Sequence, residues 1–536
     1  MRDHAQSRAR TWEYERACVR MTSIRKCAWA LLAGIVLALG ASPPLDLVPA
    51  LWVGMAALAW LLDDDPQWPA FASPARVALT GARRGLAFGV GANVVALRFV
   101  PEVVARFTPL PWAAGALGLL LLATFEGLRW MLAGVMCETL VRARVPRPLA
   151  FAAGVYAGTF VPTMMPWTPA GGMSPWPAMV QLADVVGERG VTALLALAAG
   201  LAATGARAVL RPTTRRRGVL AVAGALVVSV AQLGVGMARM ASIDRLRANA
   251  PHMTVGLVQP SIGASTRWEE ARAPGILAGL TTLTQRAETH GAELVVWPEG
   301  AYPYPLPHGD RREPPATQAI LQPAVHGPVL TGLLMTGAAD GASYNAAVVA
   351  SSDGALSPSY DKRHLLWFGE TVPLADRLPW LRTVFARGLG LAAGDHEVAL
   401  PAGRIRAAVL VCYEDTLPEA GREAAEASPN LLVNVTNDAW FAGTFESELH
   451  LRVAVLRAVE ERRDLVRAVN FGPTSWVDAA GRVRMRALPD VAGVLLTEPA
   501  LLETPPTLYA RSGDAPLALL LLVFANVAVW RVARRP

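Results

Sequence analysis

Lysine occurs only twice in this chain, at Lys26 and Lys362, although arginine is abundant. A lysine ammonium is compact, sits on a flexible stem and can shift its pKa, whereas the arginine fork stays charged. The two exchange freely on a solvated surface but not in a catalytic site. Lys362 lies in Tyr360-Asp361-Lys362-Arg363-His364 and is the first catalytic candidate; Lys26 flanks an apolar segment, an ordinary place for a leftover lysine. A second candidate, Glu299, closes the run Val295-Val296-Trp297-Pro298-Glu299. Proline ends the strand and fixes the turn, so the carboxylate projects from the sheet edge beside Trp297, where its pKa can rise and suit a general base. A single turn glutamate is more often simply solvated. The third, Cys412, caps the apolar run Ala408-Val409-Leu410-Val411 just before Tyr413-Glu414-Asp415. Buried cysteine usually behaves as a small hydrophobe, but a strand end holds a nucleophile rigidly within reach of substrate.

Taken together, the three make a coherent acyl-transfer machine. Glu299 takes the thiol proton, Cys412 attacks an acyl carbonyl to form a thioester, and the Lys362 ammonium stabilises the thiolate and the tetrahedral oxyanion. His364 is the alternative base, since histidine is the commonest one, but it leaves Glu299 and the nearby Glu370 without roles.

The elements that must position these groups divide between membrane and water. At 536 residues, 53% hydrophobic and with a mean hydropathy of +0.33, the chain is too long and too apolar for one soluble domain. A net charge of +7 raises nucleic acid as a partner, but the arginines cluster in short runs between apolar stretches, as membrane topology places them, which argues against it. Spans of the length a bilayer needs are read near 27–41, 46–63, 84–100, 112–136, 148–165, 190–209, 217–237 and 514–531. Arg20, Arg25 and Lys26, then Arg76, Arg83 and Arg84, then Arg142, Arg144 and Arg147, then the Arg211–Arg217 run, and finally Arg531, Arg534 and Arg535 mark cytoplasmic ends. Residues from about 240 to 512 then lie outside the cytoplasm. The N-terminus has the basic and apolar regions of a signal peptide, with Ala38-Leu39-Gly40-Ala41 as a cleavage motif. Its long basic region and the Pro43-Pro44 that follows argue instead for an uncleaved, re-entrant or short first span, and Met21 is an alternative start. The expected organisation is a membrane domain over 1–240 with seven spans, a catalytic domain over 241–512 and a last helix with a short tail over 513–536. Four scattered cysteines without a CxxC pair or a tight His/Cys cluster indicate neither a disulfide framework nor a zinc site.

From Met253 the pattern changes to short β-rich runs: 254–259, 293–297, 329–335, 345–350, 406–412, 430–436, 465–470 and 474–478. Helical stretches fall near 268–289 and 446–463. Strands alternating with helices imply an α/β layered domain whose chemistry sits on loops at strand ends.

These residues resemble the Glu-Lys-Cys signature of the nitrilase superfamily, carried by Trp297-Pro298-Glu299, Tyr360-Asp361-Lys362-Arg363-His364 with Phe368-Gly369-Glu370, and Cys412-Tyr413-Glu414. Within that superfamily the chain is similar to the bacterial apolipoprotein N-acyltransferases. The likeness extends to Val258-Gln259-Pro260 with Trp268, Tyr344-Asn345, Asn434 through Phe441, and Arg467 through Gly472. It also reaches Pro43-Pro44-Leu45-Asp46 and Gln181-Leu182-Ala183-Asp184 with Gly187 and Gly190. It implies an αββα sandwich outside an inner membrane, joined to an α-helical membrane domain of about eight spans. It further implies transfer of a fatty acyl chain from a phospholipid, typically phosphatidylethanolamine, to the α-amino group of a diacylglyceryl-cysteine at an apolipoprotein N-terminus. No metal or organic cofactor is implied. Glu299, Lys362 and Cys412 take the triad roles; Glu370 orients them, Trp268 and Tyr413 shape the acyl pocket, and Glu414 matches a further residue needed for activity.

The chain departs from the family pattern at Gly300, Trp367 and Thr371. In the fifth span, Val155 through Pro162 lacks a Glu-x-Leu-Arg element, leaving only Met165-Pro166-Trp167. Glu126 and Arg129, at i,i+3 inside the fourth span, are expected to pair. A membrane-anchored amidase or nitrilase that gives its acyl group to water would use the same triad. A transporter with a sensing domain is disfavoured by the scarcity of ionisable residues in the spans, and a catalytically dead scaffold by retention of the whole triad.

Overall fold

Alternation of apolar side chains, rather than their number, decides how the strands of this protein stack. A computed structural model describes residues 23–62, 73–165, 167–337 and 341–533, apart from 265, 267, 268, 368, 373, 374, 376 and 381–389. The chain forms two compact units, one of residues 1–165, 189–231 and 516–536, the other of residues 166–188 and 232–515.

The second unit holds thirteen strands among the described residues. They are β1 (Val255–Gln259), β2 (Leu294–Val296), β3 (Leu306–Pro307), β4 (Val329–Thr336), β5 (Ser343–Ala350), β6 (Tyr360–Asp361), β7 (Ala399–Ala402), β8 (Ile405–Val411), β9 (Leu431–Asn437), β10 (Leu465–Asn470), β11 (Ser475–Val477), β12 (Val483–Arg486) and β13 (Gly493–Thr497). One sheet runs β13-β1-β2-β4-β5-β6 with β3 beside β4; the other runs β12-β11-β10-β9-β8-β7. Val255, Leu257, Leu294 and Val296 of the first sheet share a core with Val409, Val411, Val433 and Val435 of the second. The intervening residues Val258, Val295 and Trp297 pack outward against Ile276, Leu277 and Leu280 of the helix Ala273–Thr289. Ala408 and Leu410 likewise meet Ala420 of the helix Pro418–Glu426 and Leu451 and Val455 of the helix Glu446–Glu461. Strand side chains alternate between faces, so two apolar faces per strand require a layer on each side. The result is helix, sheet, sheet, helix.

The first unit is helical. Among the described residues four helices are long and apolar enough to cross a membrane: Ser23–Ala41, Trp112–Arg142, Ala183–Val209 and Pro212–Asn249. The helices Ala75–Ala96 and Val100–Phe107 add a fifth if the pair, bent by 55°, is one span. Two expected spans are shorter than read. Residues 46–63 form the helix Pro49–Leu62, and 148–165 form Arg147–Gly158. At 1.5 Å per residue these cover roughly 20 Å, less than the hydrocarbon thickness. Pro162, four residues past Gly158, stops the second from continuing. Glu126 and Arg129 do pair, at 2.8 Å, and the other Glu126 oxygen accepts the backbone N–H of Met164 and Met165.

Candidate active site

Each of the three candidate catalytic residues follows the end of a strand in the second unit. Glu299 follows β2, Lys362 follows β6 and Cys412 follows β8. The backbone at Glu299 presses so closely on β4 that a Cβ on Gly332 would come within 2.7 Å of the Glu299 Cα, so glycine is required there. Trp297 anchors the same strand end, its indole N–H donating to Thr284 Oγ1 at 2.8 Å.

Glu299 and Glu370 share one donor. Asn345 Nδ2 lies 2.7 Å from Glu299 Oε1 and 2.7 Å from Glu370 Oε1. Lys362 Nζ donates to Glu370 at 2.9 Å and stands 3.8 Å from Glu299. The remaining Glu299 oxygen accepts the Asn437 backbone N–H at 3.0 Å. All three side chains are buried, Lys362 to 1% exposure. Burial alone would lower the lysine's pKa, but the charge of Cys412 when it is ionised, with that of Glu370 and Glu299, outweighs it and holds the ammonium above its usual range.

Cys412 is partly exposed and adopts a left-handed backbone at φ 57°. Such strain costs on the order of 1–3 kcal/mol and persists only where neighbours enforce it. Glu414 supplies part of that enforcement. Its carboxylate accepts the N–H of Val411, Arg363 and His364 at 2.8, 2.9 and 3.0 Å and the Tyr360 hydroxyl at 3.0 Å, so the nucleophile's turn and the lysine's loop are pinned to one group. Desolvation around the sulfur, reinforced by Glu299 and opposed by Lys362, pushes the thiol pKa well above its ordinary value. Burial and the neighbouring carboxylate thus favour the neutral thiol over the thiolate. Tyr413 donates its hydroxyl to the Leu365 carbonyl at 3.1 Å and places its ring 5.3 Å from Lys362 Nζ, a cation–π distance.

The structure thus brings together Glu299, Lys362, Glu370, Tyr413 and Glu414 around the Cys412 turn. Trp268 lies outside the described residues. The imidazole of the alternative base, His364, is engaged elsewhere, with Glu423 at 2.9 Å. Asn345, which couples the two glutamates, is not a candidate from sequence analysis; its signal there is only the Tyr344-Asn345 likeness. A further cluster, Asp438, Glu446 and His450, has potential ligand atoms within 4.8 Å of one another. Burial lowers His450, but the Asp415 carboxylate overrides this and lifts it to about 10. The His450 ring meets Asp415 at 2.6 Å through Nε2 and stands 3.6 Å from Asp438 through Nδ1.

The carbon–nitrogen hydrolase family matches residues 254–500, and the apolipoprotein N-acyltransferase N-terminal domain matches residues 33–201. An apolipoprotein N-acyltransferase of Brucella melitensis is 31% identical over 504 residues, 88% of this chain and 89% of that protein. One from Bradyrhizobium diazoefficiens is 31% identical over 554 residues, 98% of this chain and 97% of that one. Among solved structures, an amidase of the nitrilase superfamily from Nesterenkonia AN1 is 19% identical with a TM-score of 0.37, covering 51% of this chain and 98% of its own. With family matches at both ends and two relatives aligned over nearly their whole length, the chain belongs to the apolipoprotein N-acyltransferase family.

Proposed function

We propose that this membrane protein N-acylates lipoproteins through a thioester on Cys412, with a phospholipid as donor and a diacylglyceryl-cysteine N-terminus as acceptor. Glu299 removes the Cys412 proton as sulfur attacks the donor's ester carbonyl. The oxyanion forms beside the Lys362 ammonium, and collapse expels the lysophospholipid alkoxide, which takes the proton back from Glu299. The lipoprotein amine then attacks the thioester and gives its proton to Glu299, and collapse expels the Cys412 thiolate, which takes that proton back from Glu299. Tyr413 shapes the acyl chain's path, and Glu370 holds Lys362 in place.

The single observation that carries this reading is the geometry beside the Cys412 turn, where the buried Lys362 ammonium lies 2.9 Å from Glu370 and 3.8 Å from Glu299. The arginine clusters at alternate span ends support an extracytoplasmic position for the second unit, next to the lipid it consumes. The test is mass spectrometry of the purified protein after incubation with phospholipid alone. A fatty-acyl mass on the Cys412 peptide, absent in Cys412→Ala and discharged by a diacylated lipopeptide, is expected. An adduct lost to water at the same rate without acceptor would mean a hydrolase, and no adduct at all would sink the thioester.

A further inference from the structure

The thioester reading leaves unused a buried charged group on the far side of the nucleophile's turn. Asp415 lies three residues after Cys412 in the short 3-10 helix Cys412–Thr416 and is fully buried. Its Oδ1 is 2.6 Å from His450 Nε2, and its Oδ2 accepts Arg467 Nε at 2.9 Å. The other ring nitrogen of His450, Nδ1, is 3.6 Å from Asp438 Oδ1. Asp438 directly follows Asn437, whose backbone N–H holds Glu299, and is itself fastened by its own N–H to the Asn470 carbonyl at 2.9 Å. His450 projects from the helix Glu446–Glu461, a long buried element.

We infer that His450 is a positioning residue, tying the turn that carries Cys412 to the turn that holds Glu299 and so fixing the separation across which the thiol proton moves. The inference rests on the thioester reading above. Carboxylates face both ring nitrogens, Asp415 at hydrogen-bond distance from Nε2 and Asp438 at 3.6 Å from Nδ1, so neither turn can shift without changing one of the two contacts. Glu414 secures the nucleophile's turn from the Lys362 side, and Asp415 with His450 secures it from the opposite side. A turn strained at φ 57° needs both, because a displacement of about 1 Å costs a reaction of this kind roughly 100-fold.

The experiment uses the full-length protein with phosphatidylethanolamine vesicles and compares wild type with His450→Gln and His450→Asn, each of which keeps a donor toward only one carboxylate. The rate of Cys412 acylation and its final stoichiometry are read by mass spectrometry, and the donor KM from initial rates. Both variants are expected to acylate about 100-fold more slowly, to reach one acyl group per chain in the end, and to keep the donor KM within about threefold. Wild-type rates in both variants would overturn the inference. So would a loss that only mirrors a smaller fraction of acylatable protein, or a rise in KM at unchanged kcat. A wild-type protein that never forms the Cys412 adduct would instead remove the thioester reading, and this inference with it.

Discussion

The helical unit and the α/β unit solve the same problem, polar groups without water, in different ways. The helical unit largely avoids it. Its helices meet through glycine, as at Gly81 and Gly134, where a Cβ on either would fall 2.3 or 2.2 Å from the other's carbonyl oxygen, and the buried Glu126 is covered by Arg129 and two backbone N–H groups. The α/β unit keeps buried charge in quantity. Arg457 pairs with Glu188 at 2.7 Å and Glu460 at 3.1 Å, Arg462 with Asp184 at 2.8 Å, and Asp415 with both His450 and Arg467. A buried ion pair adds little net stability but is costly to break, so its presence signals positional demand. Close backbone packing suffices to hold helices; placing a thiol, a carboxylate and an ammonium within reach of one another does not come from packing alone.

The largest effect that sharpens this contrast is chemical. Glu299→Gln should slow Cys412 acylation by about 10²–10⁴-fold while leaving the thermal midpoint in detergent within a few degrees; a large drop in midpoint with retained acylation would make Glu299 structural. Next, Arg457→Met should destabilise the α/β unit by about 3–5 kcal/mol, because it removes the guanidinium that faces the buried Glu188 and Glu460. Chemical denaturation followed by the fluorescence of the unit's tryptophans reads it, and an effect below about 1 kcal/mol would show these charges to be dispensable. Gly134→Ala should cost the helical unit a smaller ~1–3 kcal/mol through overpacking against Gly81, read as a lowered midpoint with the acylation rate of folded protein intact. The smallest effect separates the units by pH. Burial pushes Glu397 up to about 7 despite its 2.8 Å contact with Arg363. The folded state therefore binds this proton more tightly than the unfolded chain, so stability falls as pH rises from about 4.5 to 7 and levels off above. Glu397→Gln should flatten that slope by on the order of 1–2 kcal/mol, and an unchanged slope would assign it to other groups.

Eight strands and both long helices of the α/β unit were legible because apolar alternation and length set them. β6, with two residues, and β12, Val-Arg-Met-Arg and exposed throughout, carry no such signal, and β13 is a strand because it pairs antiparallel with β1, 242 residues away at Thr497 and Val255. The spans over 46–63 and 148–165 were read too long, since hydropathy counts apolar residues but does not see where a helix ends.

By itself the sequence singled out the three candidate residues proposed as the triad. A lysine among arginines, a carboxylate after proline and a cysteine at the close of an apolar strand each carry a local reason for being where they are. It also determined the division into apolar helices and an α/β layer, because burial periodicity is a property of neighbouring residues. Only the tertiary structure decided which polar groups hold that triad. Asn345 serves two glutamates 46 and 25 residues away, Glu414 reaches back 54 residues to Tyr360, and His450 meets Asp415 across 35. Hydrogen bonds between such distant positions follow from strand order and sheet packing, and no local pattern encodes them.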